Sequence, residues 1–231
     1  MSKILIAAAL LIVIGAQGLM AQGCQAYFPM TTGASFELTH YDAKDKVTSS
    51  TKTTITQKEA TGTKIVATAH SSSIDPKGKE LSKMEYDLTC DNGEFRMDMK
   101  SMGSPQGQMA GMENLEIKME SSDMIFPSEL AVGQSLPDAS MHMTGTMNGM
   151  KILDNMTTVT NLKVMAKESM TTPAGTFACV VIEQDSKIVS MGMNIEVHTK
   201  SWYALNTGMV RTESTRNGKS SGYSLLTKFS K

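Results

Sequence analysis

Lys83-Met-Glu-Tyr-Asp-Leu-Thr-Cys-Asp-Asn-Gly-Glu-Phe-Arg-Met-Asp-Met-Lys100 is the stretch whose pattern decides the fold. Met84, Tyr86, Leu88 and Cys90 alternate with Lys83, Glu85, Asp87 and Thr89. After Asn92-Gly93, Phe95, Met97 and Met99 alternate with Glu94, Arg96, Asp98 and Lys100. A period of two places every apolar side chain on one face of a pleated strand, whereas an amphipathic helix repeats at three and four. Asn-Gly supplies the two left-handed residues of a primed turn, so the stretch reads as a β-hairpin with one buried face.

The same grammar extends outward in both directions. Val189, Met191, Met193, Ile195 and Val197 alternate with Ser190, Gly192, Asn194, Glu196 and His198, which predicts one long strand. Asp42-Ala-Lys-Asp-Lys46, Asp75-Pro-Lys-Gly-Lys79, Pro173-Ala-Gly175 and Asn217-Gly-Lys219 have turn chemistry and predict further hairpin ends. Helical pattern is scarce: Gln108 to Leu115 is the one short candidate after the N-terminus. The expected architecture is all-β, an antiparallel meander of about nine to twelve strands forming a curved half-barrel or sandwich-like domain. The loop around Met102 to Gln108 is the single plausible seam.

The N-terminus has a different character. Lys3 precedes an unbroken apolar run from Ile4 to Ile14, followed by the small-residue stretch Gly15-Ala-Gln-Gly-Leu-Met-Ala21. This is the layout of a secretory signal peptide over residues 1–21. It leaves an exported domain over 22–231 and points to the periplasm or cell envelope. The run is too short for a membrane span, which takes about 20 apolar residues. Cleavage after Ala21 would release the protein, whereas Gly23-Cys24 also resembles the end of a lipobox, in which case a lipidated Cys24 would tether it. Membrane association is expected only in that tethered form. The three cysteines, Cys24, Cys90 and Cys179, enter an oxidising compartment. Cys90 and Cys179 are an even pair if Cys24 is lipidated, and spacing does not choose among pairings otherwise.

Charge and composition exclude more than they nominate. Twenty-two basic and 23 acidic residues give a net charge of −1, which supplies no field for nucleic acid. Gly218-Lys-Ser-Ser-Gly222 matches the nucleophile-elbow string G-x-S-x-G, but no Asp or His follows Ser220 to complete a triad. The string therefore reads as a hairpin tip. His40, His70, His142 and His198 are far apart in sequence, without the short spacings of a zinc site. No catalytic residue and no cofactor is expected, and the domain reads as non-enzymatic.

Methionine is the compositional anomaly, with 21 residues against 5% aromatics. Thioethers are ligands for copper(I), and Met141-His142-Met143 with Met147 has suitable donor types. Alternation, however, sends His142 to the face opposite Met141, Met143 and Met147. Methionine also fills irregular cores and lines surfaces for variable apolar partners. Met84, Met97, Met99, Met191 and Met193 are accordingly expected on one apolar face, which as a concave surface would hold a lipid-like or other apolar small molecule. A purely structural or protein-interaction role is the remaining alternative, and the oligomeric state is not encoded in any of these features.

Cys24 with Tyr27-Phe-Pro29, Gly33 to Glu37, Cys90-Asp-Asn-Gly-Glu-Phe95 with Met97-Asp-Met99, Thr172-Pro-Ala-Gly-Thr-Phe177, Trp202-Tyr203 and Gly208-Met-Val-Arg211 together resemble the TapB-like family. That is a group of bacterial exported proteins of unknown function, related to a broader domain-of-unknown-function family. The resemblance spans nearly all of the mature chain and implies an exported all-β domain with no established activity or cofactor. It supplies no catalytic residues to carry over.

Overall fold

The structure, a computed structural model, describes residues 26–99 and 115–231. The signal-peptide reading, Cys24, the seam and most of the short-helix candidate lie outside them. Thirteen strands follow one another: β1 (Ser35–Tyr41), β2 (Val47–Thr61), β3 (Lys64–Ile74), β4 (Glu80–Asp91), β5 (Glu94–Met97), β6 (Leu115–Ser121), β7 (Met124–Phe126), β8 (Ala139–Met147), β9 (Met150–Thr172), β10 (Gly175–Ser190), β11 (Met193–Ala204), β12 (Gly208–Arg216) and β13 (Lys219–Ser230). They form one antiparallel sheet in the order β6-β8-β9-β10-β11-β12-β13-β1-β2-β3-β4-β5-β7. The sheet is curved and does not close into a barrel. The expected all-β meander is therefore what the chain builds.

The opening hairpin forms as its alternation requires. Leu88 pairs with Met97 and Cys90 with Phe95 across Asn92 and Gly93, both at positive φ. Asp42 and Asp75 each accept two backbone N–H groups, from Lys44 and Lys46 and from Lys77 and Lys79, which closes their turns.

The predicted long strand through Met191 is corrected. Met191 (φ 47) and Gly192 (φ 85) are the centre of a two-residue hairpin turn, with Ser190 paired to Met193. Positive φ at both central residues gives the primed turn that matches strand twist. The turn cuts the run into the end of β10 and the start of β11.

Curvature brings distant strands together around one core. Phe126 on β7 lies 5.6 Å from the Tyr203 ring on β11, strands far apart in the sheet order. Phe28 packs edge-on to Phe36 on β1 and Tyr86 on β4 and stacks on Phe95 of β5. Two segments thus fill one end of the concave side. Residues 26–34 are held by Gly33 N–H to Ile55 O, Ile55 N–H to Ala34 O and Asn206 N–H to Ala26 O. The segment carrying Leu130 and Leu136 is held against Leu162 and Val164 of β9. Each buried large apolar side chain there contributes about 1.5–3 kcal/mol relative to exposure.

Candidate functional site

Beyond the filled end, the concave side changes character. Register places His40, Ser224, Thr212, Ser201 and Ile182 in one cross-strand row over β1, β13, β12, β11 and β10. The neighbouring row joins Leu38, Thr51, Ser73 and Ser82 over β1 to β4. His40 Nδ1 is hydrogen-bonded to Ser224 Oγ at 2.7 Å and Nε2 to Thr51 Oγ1 at 2.9 Å, while Thr51 continues to Ser73 Oγ at 2.7 Å. Ser201 and Thr212 are bonded at 3.0 Å, and one step toward the core Thr53 bonds Ser71, which reaches the Tyr86 hydroxyl. A belt of hydroxyls with a single imidazole therefore crosses seven strands.

Strand alternation keeps charge off this belt. Glu37, Lys52, Lys83, Glu85, Glu183, Lys200 and Glu213 each sit beside a belt or core residue in sequence and so project from the opposite face. Arg216 comes to the inner side only at the tip of β12, in register with Val197. Burial holds the His40 imidazole below its ordinary value near 6.5, so it is neutral at neutral pH. The Ser224–His40 contact has the spacing of a nucleophile and base, yet the other ring nitrogen meets the Thr51 hydroxyl instead of a carboxylate. A neutral hydroxyl cannot stabilise an imidazolium as the third member of a triad does.

Further along the same face lies an apolar patch. Met119 on β6 pairs with Met143 on β8, and Met143 with Asn155 on β9; one row over, Met141, Thr157, Ile188 and Ile195 are in register. Met119, Met141, Met143, Ile188 and Ile195 are half-buried. In their midst Asn155 Oδ1 is a buried acceptor with no hydrogen-bond partner among the described residues.

The residues expected to form one methionine face are only partly brought together. Met97 and Met99 are buried in the core and Met84 packs against it. Met191 and Met193 are 60% and 64% exposed at the hairpin turn and take no part in the packed core. The apolar-face expectation is corrected accordingly: on the inner face Met119, Met141, Met143 and Met147 are half-buried as well as Met84, so the expected methionine face is divided among core, patch and turn. The sequence contained that signal in the alternation of Leu115, Ile117 and Met119, whereas the hydroxyl belt was missed because serine and threonine on a strand look like ordinary surface.

The copper donor set is divided. Met141, Met143 and Met147 alternate onto the inner face, and His142 projects from the other, where its Nε2 is 2.8 Å from Asp154 Oδ1. Lys151 also binds Asp154 and, with His142, holds that carboxyl below its usual range. His70 pairs with Glu85 and His198 with Asp185 on that same outer side. No group of three His, Cys, Asp or Glu positioned for a metal exists among the described residues.

The expected Cys90–Cys179 pairing is also corrected. Cys90 is disulfide-bonded, while Cys179 is a buried free thiol that burial pushes up to about 11. The two lie on opposite faces: Cys90 is paired with Phe95 on the inner side, and Cys179 stands two residues from Val181, the partner of Trp202.

Two solved structures share this architecture. A protein of Bacteroides fragilis NCTC 9343, inferred to be exported and assigned a YmcC-like fold, is 22% identical with a TM-score of 0.73. An inferred lipoprotein of Parabacteroides distasonis ATCC 8503 is 25% identical with a TM-score of 0.74. Each match covers 90% of this chain and 100% of the other. No curated protein matches. The family model that fits is described as DUF3108-like, a domain of unknown function, and covers residues 31–226. The core strands, the belt and the patch all fall within that match, and the chain belongs to the DUF3108-like family.

Proposed function

We propose that this chain is an exported, non-enzymatic binding module of the bacterial envelope whose ligand surface is the open part of the concave face. One observation carries the reading: the sheet's interior is packed at one end by Phe28, Phe95, Phe126 and Leu130, but continues as a half-buried, uncharged surface around Met141 and Met143. A monomer gains by covering such a surface, and methionines adapt to an apolar ligand of variable shape. Export is supported by the signal-peptide pattern of residues 1–21 and by the exported and lipoprotein descriptions of the two structural relatives. The absence of a carboxylate behind His40 supports a binding role over hydrolysis.

Protein recovered from an envelope fraction without detergent tests the proposal. Native mass spectrometry before and after organic extraction is expected to show an apolar adduct that extraction removes. Recovery of bare protein, together with methionine methyl resonances of Met141 and Met143 that do not respond to a short-chain amphiphile, would refute it.

A further inference from the structure

We infer that the ligand of the concave face is an uncharged amphiphile bearing hydroxyl groups, of the kind an alkyl glycoside represents; the inference rests on the binding reading above. Three observations on one continuous face lead to it. The apolar patch offers thioethers and branched aliphatics at Met119, Met141, Met143, Ile188 and Ile195. Within it, Asn155 Oδ1 is a buried acceptor with no donor among the described residues, a desolvation cost that a ligand hydroxyl relieves. The flexible Met143 side chain is its register partner and can yield to admit one.

The belt supplies the second set of polar contacts. The belt row meets β10 at Ile182, six residues from Ile188, about 20 Å at ~3.3 Å per residue. A ligand extended over about that length therefore reaches both. His40, Thr51, Ser73 and Ser224 each donate and accept, which matches hydroxyls and gives no countercharge to a phosphate or carboxylate. A charged headgroup would have to leave water without a partner, apart from Arg216 at the rim, and that desolvation disfavours it.

Titration of the full mature chain with octyl glucoside and with octyl phosphate, each below micelle formation, distinguishes the cases by methionine methyl and histidine NMR. Glucoside is expected to move the Met143 methyl and His40 ring signals and to bind at least tenfold more tightly than the phosphate. Asn155→Leu and Thr51→Val are each expected to weaken the glucoside several-fold while leaving circular dichroism unchanged. Ser73→Ala replaces Thr51→Val if that variant does not fold. Equal binding of both amphiphiles, or unaltered glucoside affinity in the folded variants, overturns the hydroxyl inference and leaves the apolar reading standing. Binding of neither overturns both.

Discussion

Two residues on the inner and turn surfaces have consequences measurable one at a time. His40 is neutral in the fold because burial lowers its pKa from about 6.5, whereas the unfolded chain takes up a proton at that ordinary value. Its contribution to stability is complete above that value and is lost as pH falls through it toward the lower folded one, since there the unfolded state binds more protons. Urea midpoints of the wild type should therefore drop between about pH 7 and 5, and His40→Gln should flatten that slope. Identical slopes in the two proteins would dismiss the assignment. Asp42 and Asp185 titrate lower still: the first is depressed by backbone N–H bonds from Lys46 and Lys44, the second by Asn161 and His198, and so they act in a separate, more acidic window. Gly222 explains the final residue of the G-x-S-x-G string. It stands at φ +124 on β13, and an added Cβ would come within 2.1 Å of Tyr41 O. Backbone cannot retreat as a flexible side chain can, so Gly222→Ala should cost about 2–3 kcal/mol in chemical denaturation. A loss under half of that would mean that β1 and β13 separate easily.

At the scale of elements, turns written in ordinary turn chemistry are legible, Asn148-Gly149 between β8 and β9 among them although it is missing from the expected hairpin ends, whereas the Met191-Gly192 turn is not. Asp42 to Lys46, Asp75 to Lys79, Asn92-Gly93, Pro173 to Gly175 and Asn217-Gly218 all close hairpins, because their conformations are dictated by the residues themselves. Met191 hides its turn: methionine is no marker of positive φ, and the apolar alternation runs on across it. A left-handed conformation costs a residue with a long side chain about 1–2 kcal/mol, and asparagine less. Met191→Asn should accordingly raise stability by about 0.5–1 kcal/mol, read as a higher urea midpoint with an unchanged slope. An unchanged or lower midpoint would place the turn's preference elsewhere than at that φ. The candidate site was illegible for a different reason. Thr51 and Ser73 lie on strands whose pattern also suits a solvated surface, and His40 meets Ser224 only because β1 pairs with a strand 184 residues away. Local pattern cannot announce a pairing of that span. The apolar half of the site was partly legible, since alternation alone separates Met141 and Met143 from His142.

For the whole molecule, that same long-range pairing decides how the sheet is held together. The last strand does not form an edge: β13 lies between β12 and β1, at the middle of the strand order, and joins the half of the sheet built from β8 to β12 to the half built from β1 to β5. Leu226 is fully buried there, Ser224 completes the His40 bonds, and Lys228 pairs with Glu37. The edges are the short β7 and the seven-residue β6, connected through Ser122, whose N–H bonds Ser140 O. Ending the chain at Arg216 would remove the Leu226 packing, worth about 2–5 kcal/mol, and open two hydrogen-bonded ladders at once. Against a total stability of about 5–15 kcal/mol, that loss leaves little to hold the halves together. The shortened protein should show no cooperative urea transition and no near-ultraviolet dichroism from Trp202, the neighbour of the core residue Tyr203. Closure of β13 with a residue that early in the chain also makes folding depend on non-local contacts, so refolding should be slow, on the order of milliseconds to seconds. A shortened chain that still unfolds cooperatively would mean that each half is a stable unit. The mid-sheet position of β13 would then be a consequence of folding instead of its condition.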